Sequence, residues 1–313
     1  MRKFNLKATV VERMKGIPRK EPESVEPETI ETPGIPDVNT VFSEEQGLLS
    51  CACRTDVGRL RKNNQDALIL GNGLAGVADG MGGHKGGEIA SAGLRDGLLR
   101  ETENTSPDRE KLMDAVKTVN LELWQKQNEN PNLSGMGTTL TVLWPAKNEM
   151  IIGQVGDSRA YLLRDNTLVQ VTNDHSMVAD MVRKGVLTEE QAACHPMRNY
   201  ITRAVGTEET IDMDLLVHDR QQGDRWLICS DGLYSMISRN TLKEGLETEN
   251  IEEAADKLLQ AALNAGGSDN ISIVILQDDS ISEKQTQNTL SDRKETPEDK
   301  SVSDSCGEEV APQ

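Results

Sequence analysis

Several aspartates in this sequence stand where a short apolar run meets Gly, Ser or Asn. Four of them end or precede a β-like run, namely Asp79, Asp157, Asp231 and Asp269. A fifth, Asp66, lies just before another such run. Taken singly, each is an ordinary turn, because Asp-Gly and Asp-Asn pairs favour the left-handed backbone that turns need.

Taken together, the aspartates offer short, rigid carboxylates that converging strands can bring to one end of a sheet. Buried carboxylates repel one another unless cations neutralise them, and hard divalent ions prefer oxygen ligands of this kind. The set therefore predicts a divalent-metal centre.

A glycine-rich loop, residues 80–87, follows Asp79 and reads GMGGHKGG. Glycine lets the main chain approach a ligand closely and point a carbonyl oxygen inward. The loop matches neither GxxxxGK[ST] nor GxGxxG, so it gives little support to a mononucleotide site.

The elements that must position these residues follow from hydrophobic periodicity. Helices are predicted over residues 86–103, 107–128 and 251–265. The second has Ser106 as its N-cap and Pro107 at its first position. Short strands are predicted over residues 67–70, 74–78, 138–143, 150–155, 160–163, 226–229 and 271–276. Two consecutive helices between groups of strands do not fit a doubly wound parallel sheet. We therefore expect an α+β fold of largely antiparallel sheets with helices on their outer faces.

Charge and proline content divide the chain into three parts. Residues 1–47 are first basic, then acidic and rich in proline, and residues 278–313 are polar and acidic. Neither segment can bury enough apolar surface to offset its backbone entropy. We expect a disordered leader at 1–47, a folded domain at 48–277 and a disordered acidic tail at 278–313. A peptide arm that docks on a partner is the alternative for the basic start, residues 1–20.

Composition excludes several classes of protein. Lys and Arg number 34 against 52 Asp and Glu, a net charge of −18, which repels the phosphates of nucleic acid. No run approaches the roughly 18 apolar residues of a membrane span, and no secretory signal begins the chain. We expect a soluble, cytoplasmic protein with no membrane or nucleic-acid partner. The five cysteines are interpreted as reduced thiols; Cys51 and Cys53 could form a redox or metal pair, but alternation in a strand explains them as well.

In their order along the chain, these motifs resemble those of the metal-dependent protein phosphatase (PPM) family, the protein phosphatase 2C-like serine/threonine phosphatases, in their bacterial form. The resemblance runs from about residue 53 to residue 276. It rests on residues 55–58, 61, 64–66, 79–84, 137–139, 155–161, 172–176, 195–196, 203, 230–232 and 268–270. The fold of that family is a four-layer α-β-β-α sandwich of two antiparallel sheets flanked by helices, which agrees with the order of elements above.

The resemblance implies a set of metal ligands for two Mn²⁺ or Mg²⁺ ions. Asp79 would bridge the two ions, the Gly80 carbonyl would complete one, and Asp231 and Asp269 would hold the other. Asp66 would act mainly through metal-bound water.

A weaker third ion is implied at Asp157 and Asp231. Some members of the family supply a further aspartate four residues after the Asp-Gly aspartate, where this sequence has Ser235. Because a hydroxyl adds no charge, we expect weaker binding of that third ion here.

Arg61 matches the phosphate-binding arginine of the family, and a planar fork of donors suits two phosphoryl oxygens better than lysine would. The alternative is a surface arginine in a basic turn. His84 is a candidate general acid for the leaving alkoxide, because imidazole titrates near neutral pH; a metal-bound water and an exposed loop histidine are the alternatives. For His175 and His195, structural or substrate-contact roles are expected.

The function implied by the resemblance is hydrolysis of phosphoserine and phosphothreonine in proteins by direct attack of a metal-bridging hydroxide. Its partners would be phosphorylated proteins that a serine/threonine kinase produces, and the protein would be a monomer. Two alternatives stay open: a catalytically silent metal-binding sensor or scaffold of the same fold, and a hydrolase of small phosphoesters or an unrelated metal-dependent nuclease. The acidic surface counts against the nuclease.

Overall fold

The computed structural model describes residues 49–82 and 86–279. The predicted leader lies outside the described residues, and so does the predicted tail from residue 280 onward. The last described strand runs to Asp278, one residue into that predicted tail.

The described strands are β1 (Leu49–Asp56), β2 (Asp66–Gly71), β3 (Leu74–Met81), β4 (Gly137–Thr138), β5 (Leu140–Pro145), β6 (Glu149–Val155), β7 (Arg159–Arg164), β8 (Thr167–Gln170), β9 (Asp214–Asp219), β10 (Arg225–Cys229) and β11 (Ile271–Asp278). The described α-helices are α1 (Gly86–Glu101), α2 (Arg109–Glu129), α3 (Met177–Arg183), α4 (Glu189–Ala193), α5 (Asp231–Tyr234), α6 (Arg239–Leu246) and α7 (Ile251–Asn264). A short 3₁₀ helix, Pro131–Leu133, follows α2.

The strands form two antiparallel sheets. One has the order β1-β11-β10-β7-β8, and the other has the order β2-β3-β5-β6-β9 with β4 paired to β3. The predicted α+β class with two antiparallel sheets is therefore confirmed.

Three hydrophobic cores show how the layers stack. The first joins α1 and α2 to the sheet that contains β2, through side chains such as Leu94, Val116 and Ile69. The second joins α6 and α7 to the other sheet, through side chains such as Leu258 and Ile273. The third lies between the two sheets. Helices, sheet, sheet and helices thus make the predicted four-layer α-β-β-α sandwich.

Strand β11 shows why its sequence fits a central position. Successive side chains of a strand point to opposite faces. Ile273 and Ile275 face the helices, whereas Val274 and Leu276 face the other sheet. Because both faces are covered, the strand is apolar almost throughout instead of alternating with polar residues.

The three predicted helices are present as α1, α2 and α7, but the predicted cap of α2 is wrong. Its N-cap is Asp108, whose extended backbone precedes the helix and whose carboxylate accepts a hydrogen bond from Lys111 N at 2.9 Å. A carboxylate at this position also interacts favourably with the positive end of the helix dipole. Ser106 lies two residues too early to do this.

The Cys51 and Cys53 thiols lie in the core between the sheets, and both are free. Burial raises the pKa of Cys53 above its ordinary value and suppresses the thiolate that redox or metal chemistry would need. The structure thus supports the interpretation of this pair as alternating core residues of β1.

In the part of the chain that the structure describes, no helix combines the length and the apolar character needed to cross a bilayer.

Candidate metal centre

The aspartate cluster, defined as Asp66, Asp79, Asp157, Asp231 and Asp269, forms where the ends of strands from both sheets meet. Asp66 begins β2 and lies opposite Asp79 of β3 in the antiparallel register. Asp231 follows β10, and Asp269 precedes β11, which pairs with β10. Antiparallel pairing places the end of one strand beside the start of its neighbour, so each sheet contributes a pair of carboxylates. Asp157, the fifth member, lies between β6 and β7.

A hydrogen bond across the sheets joins the two pairs. The Ser230 hydroxyl, next to Asp231, donates to Asp66 Oδ2 at 2.8 Å. The other oxygen, Asp66 Oδ1, is buried and receives no hydrogen bond from any described residue. A buried acceptor without a donor is costly, and a cation would satisfy it.

The electrostatics of the cluster point the same way. Loss of hydration raises the pKa of Asp79 well above its ordinary value, and repulsion from the other four aspartates of the cluster adds to the shift. Burial likewise raises the pKa values of Asp66 and Asp231. It raises the pKa of Asp157 to about 6, with repulsion from Asp174 as the second cause. Ionised together, these groups destabilise the site unless positive charge compensates them.

The backbone at Gly80 leaves room for a carbonyl ligand. A Cβ atom at Gly87 would lie 2.6 Å from the Gly80 oxygen, so glycine at position 87 keeps that oxygen uncovered. Gly80 itself is packed against the Gly87 carbonyl, since a Cβ at Gly80 would lie 2.1 Å from it. A side chain at either position would force the two backbone segments apart.

These oxygen atoms suit a pair of hard divalent ions. They belong to the carboxylates of Asp79, Asp231 and Asp269, to Asp66 Oδ1, which has no donor, and to the uncovered Gly80 carbonyl. Among residues 49–82 and 86–279, no three His, Cys, Asp or Glu side chains stand in complete ligand geometry. The fit of the aspartate cluster to two ions rests on the buried Asp66 Oδ1, which has no donor, and on the mutual repulsion of the carboxylates.

Asp79 is fixed by Thr139, which interrupts the predicted strand 138–143 and separates β4 from β5. Thr139 N donates to Asp79 O at 2.9 Å, and Asp79 N donates to Thr139 Oγ1 at 2.9 Å. Thr139 Oγ1 in turn lies 2.8 Å from Ser158 Oγ, beside Asp157. Thr139 belongs to the family motif at residues 137–139, but that motif alone does not predict its contact with Asp79.

Arg61 lies in the segment between β1 and β2, and its side chain is 49% exposed. Its Nη2 donates to Asp269 Oδ2 at 2.6 Å. The predicted phosphate-binding group is thus adjacent to a predicted metal ligand and open to solvent. His84 lies within residues 83–85, outside the described residues, so its assignment as general acid stays a prediction.

His175 is buried, and both nitrogens of its ring have polar partners. Gly156 N donates to its Nδ1 at 3.2 Å, so the proton of the neutral ring is on Nε2, which lies 3.2 Å from Asp214 Oδ2. Burial lowers the pKa of His175. These contacts support a structural role. His195 is half-buried, and its Nδ1 accepts from Met197 N at 3.1 Å.

A partly buried cation, Arg159, lies two residues beyond Asp157, and its side chain is 26% exposed. Arg159 pairs with Asp174 through Nε at 3.0 Å and Nη2 at 2.7 Å, and its guanidinium lies 3.6 Å from the centre of the Tyr234 ring. Tyr234 donates its hydroxyl hydrogen to Asp157 O at 3.0 Å. The pairing of Arg159 with a carboxylate fifteen residues away could not be inferred from periodicity.

Replacing Arg159 by methionine is expected to lower the free energy of unfolding by about 3–5 kcal/mol, because Asp174 would remain buried without its partner. Urea unfolding measures the change. The control is Arg100→Met, which breaks an exposed ion pair with Glu122 and should cost less than about 1 kcal/mol. Equal losses in the two variants would contradict the burial argument.

Comparison with known proteins gives consistent matches. Residues 59–272 match the family model described as protein phosphatase 2C. The serine/threonine protein phosphatase PstP of Mycobacterium tuberculosis is 39% identical over 231 residues, which cover 73% of this chain and 45% of PstP. This chain thus spans less than half the length of that relative. The serine/threonine phosphatase stp of Listeria monocytogenes is 37% identical over 238 residues, covering 72% of this chain and 94% of stp.

Two solved structures are also similar. The crystal structure of the Mycobacterium tuberculosis phosphatase PstP/Ppp matches with a TM-score of 0.70 and 38% identity, covering 73% of this chain and 98% of that one. The PstP catalytic domain in complex with two manganese ions matches with a TM-score of 0.68 and 37% identity, covering 73% of this chain and 97% of that one.

Proposed function

Because this chain belongs to the protein phosphatase 2C family of metal-dependent serine/threonine phosphatases, we propose that it removes phosphate from phosphoserine and phosphothreonine in proteins. The observation that carries the proposal is the meeting of carboxylates from both sheets in the aspartate cluster, with the exposed Arg61 guanidinium 2.6 Å from Asp269. We assign the activity to a phosphatase domain at residues 48–277.

The residues present fit two Mn²⁺ or Mg²⁺ ions. Their ligands would be Asp79, Gly80 O, Asp231 and Asp269. Asp66 would bind through water. Bound there, the two ions would supply an activated water and offset the charge of the phosphoryl group.

The remaining groups bind the phosphate and complete the proton transfer. Arg61 presents several N–H donors, so it can hold one phosphoryl oxygen while it keeps its contact with Asp269, or two after that contact breaks. His84 is our candidate to protonate the leaving seryl or threonyl oxygen.

The third-ion site should be weak, because Ser235 replaces an aspartate there. Ser235→Asp adds one carboxylate near Asp231 and is expected to tighten binding of the third ion by about tenfold. Equilibrium dialysis with Mn²⁺ counts the bound ions at each concentration. Ser238→Asp is the control, since it adds the same charge at the N-cap of α6, where aspartate also caps well. Equal Mn²⁺ occupancy of the third-ion site in the wild type and in Ser235→Asp would contradict this prediction.

Hydrolysis of a phosphothreonine peptide and of p-nitrophenyl phosphate with Mn²⁺, with and without chelator, tests the function. We expect turnover of both substrates that chelator abolishes. Silence at saturating Mn²⁺ would favour the sensor or scaffold instead. Turnover confined to nucleic acid would favour the nuclease, and turnover of p-nitrophenyl phosphate alone would favour a small-molecule phosphoesterase.

We further propose that the substrates are phosphorylated proteins produced by a serine/threonine kinase, and that the enzyme acts as a cytoplasmic monomer. The acidic composition, with a net charge of −18, supports the absence of a nucleic-acid partner.

A further inference from the structure

The segment that carries Arg61 packs against the turn that carries Asp269. We call residues 57–65 the Arg61 loop and residues 267–270 the Asp269 turn. Arg59 N donates to Gly267 O at 2.7 Å, and Arg61 Nη2 donates to Asp269 Oδ2 at 2.6 Å. The proposed phosphate-binding group and a proposed metal ligand therefore share one contact surface.

Asn270 extends its side chain from the Asp269 turn into the Arg61 loop and is only 4% exposed. Its Oδ1 accepts from Gln65 N at 2.9 Å. Its Nδ2 donates to Val57 O at 3.0 Å and to Asn63 O at 2.9 Å. One amide thus holds the beginning and the end of the loop at three backbone points.

The backbone of Asn270 is also fixed by its neighbours. Asn270 N donates to Asp269 Oδ1 at 2.8 Å, and β11 begins at the next residue. A Cβ atom at Gly232 would lie 2.0 Å from Asn270 O, and a Cβ at Gly58, where φ is +76°, would lie 2.2 Å from Asp269 O. The Arg61 loop, the Asp269 turn and the start of α5 are therefore in direct backbone contact.

We propose that Asn270 is a positioning residue that sets the guanidinium of Arg61 relative to Asp231 and Asp269. The proposal rests on the proposed function for its effect on turnover. Both bonding groups of the Asn270 amide are used on the loop, and the side chain is anchored to a central strand. Without it, the loop would keep its contacts through Arg59 and Arg61 and the bonds from Gly80 N and Ser91 Oγ to Gln65 O. It would lose the three bonds that tie both of its ends to the Asp269 turn.

Asn120 provides a matched control elsewhere in the molecule. It is also buried, at 1% exposed, and its side chain makes the same set of bonds to another segment. Its Nδ2 donates to the carbonyl oxygens of Glu208 and Glu209, and its Oδ1 accepts from Gly206 N. Asn120→Ala therefore reproduces the loss of hydrogen bonds and buried volume without touching the Arg61 loop.

The first measurement is kcat/KM for p-nitrophenyl phosphate at saturating Mn²⁺. Asn270→Ala should lower kcat/KM by about 100-fold, the loss typical when a group at the reacting centre is displaced by roughly 1 Å. Asn120→Ala should change kcat/KM by less than about threefold. In the Arg61→Ala background, Asn270→Ala should cost much less than in the wild type, because a group that acts through Arg61 loses its effect when Arg61 is absent.

The second measurement does not depend on activity. In chelator, trypsin cleaves after basic residues of a loop when it opens, and the Arg61 loop offers Arg59, Arg61 and Lys62. Asn270→Ala should raise the rate of cleavage at these bonds, mapped by mass spectrometry, by about tenfold or more. Asn120→Ala should leave that rate unchanged.

Asn270→Ala behaving like Asn120→Ala in both measurements would overturn the proposal. If the alanine variant does not fold, Asn270→Asp replaces it, because it keeps the acceptor for Gln65 N but loses both donors, and the same increase in cleavage is expected. A wild-type protein without Mn²⁺-dependent turnover would refute the proposed function instead, while the trypsin comparison would still decide whether Asn270 holds the loop.

Discussion

Asp79→Asn is expected to lower Mn²⁺-dependent turnover by at least about 10³-fold, a loss of several kcal/mol of transition-state stabilisation. Asp79 is the proposed bridge between the two ions, and a neutral amide cannot offset their charge. Without metal the same change removes a carboxylate that four neighbouring aspartates repel. The free energy of unfolding in chelator should therefore stay equal or rise by about 1 kcal/mol or more.

Loss of activity combined with preserved stability separates a metal ligand from a structural aspartate. The control is Asp256→Asn, which alters an exposed carboxylate paired with Arg54 and should leave turnover within about twofold of wild type. Turnover is measured with p-nitrophenyl phosphate, and stability by urea unfolding in chelator. Near-normal turnover by Asp79→Asn would refute its assignment as the bridging ligand.

Arg61→Ala is expected to lower kcat/KM for a phosphothreonine peptide by about 10²-fold, because a charge-assisted contact to the phosphoryl group contributes about 1.5–3 kcal/mol. Stability should change little, since the side chain is 49% exposed and its ion pair with Asp269 is open to solvent. Arg61→Lys keeps the charge but not the planar fork, so it should recover only part of the loss.

Arg59→Ala is the control for the Arg61 variants. Arg59 lies in the same loop and its side chain donates to Leu263 O at 2.8 Å, away from the aspartate cluster. Its removal should lower kcat/KM by less than about threefold. Equal losses from Arg59→Ala and Arg61→Ala would indicate a general effect of positive charge instead of a specific phosphate contact.

The parts of the site that lie at strand ends could be predicted from sequence. An apolar run that stops at Asp-Gly or begins after Asp-Asn places the carboxylate at the edge of a sheet, as at Asp79 and Asp231. Antiparallel pairing then determines which edges meet. The long amphipathic helices α1, α2 and α7 were predictable for a related reason, because their periodicity is sustained over several turns.

Contacts between distant segments could not be predicted. Ser230 and Asp66 are 164 residues apart, and their hydrogen bond depends on how the two sheets pack. The pairing of Arg159 with Asp174 and the reach of Asn270 into the Arg61 loop also follow from tertiary packing alone. The short helices α3, α4, α5 and α6 were missed because four to eight residues carry too little periodicity to identify a helix.

The central claim is that the aspartate cluster binds two divalent ions, and anomalous diffraction from crystals grown in saturating Mn²⁺ tests it most directly. We expect two manganese peaks about 3.5–4 Å apart, with the Asp79 carboxylate between them and Asp231 and Asp269 on one ion. Crystals of Asp79→Asn grown in the same way should lose at least one peak. An empty cluster in the wild-type crystals, or manganese bound only elsewhere, would contradict the account.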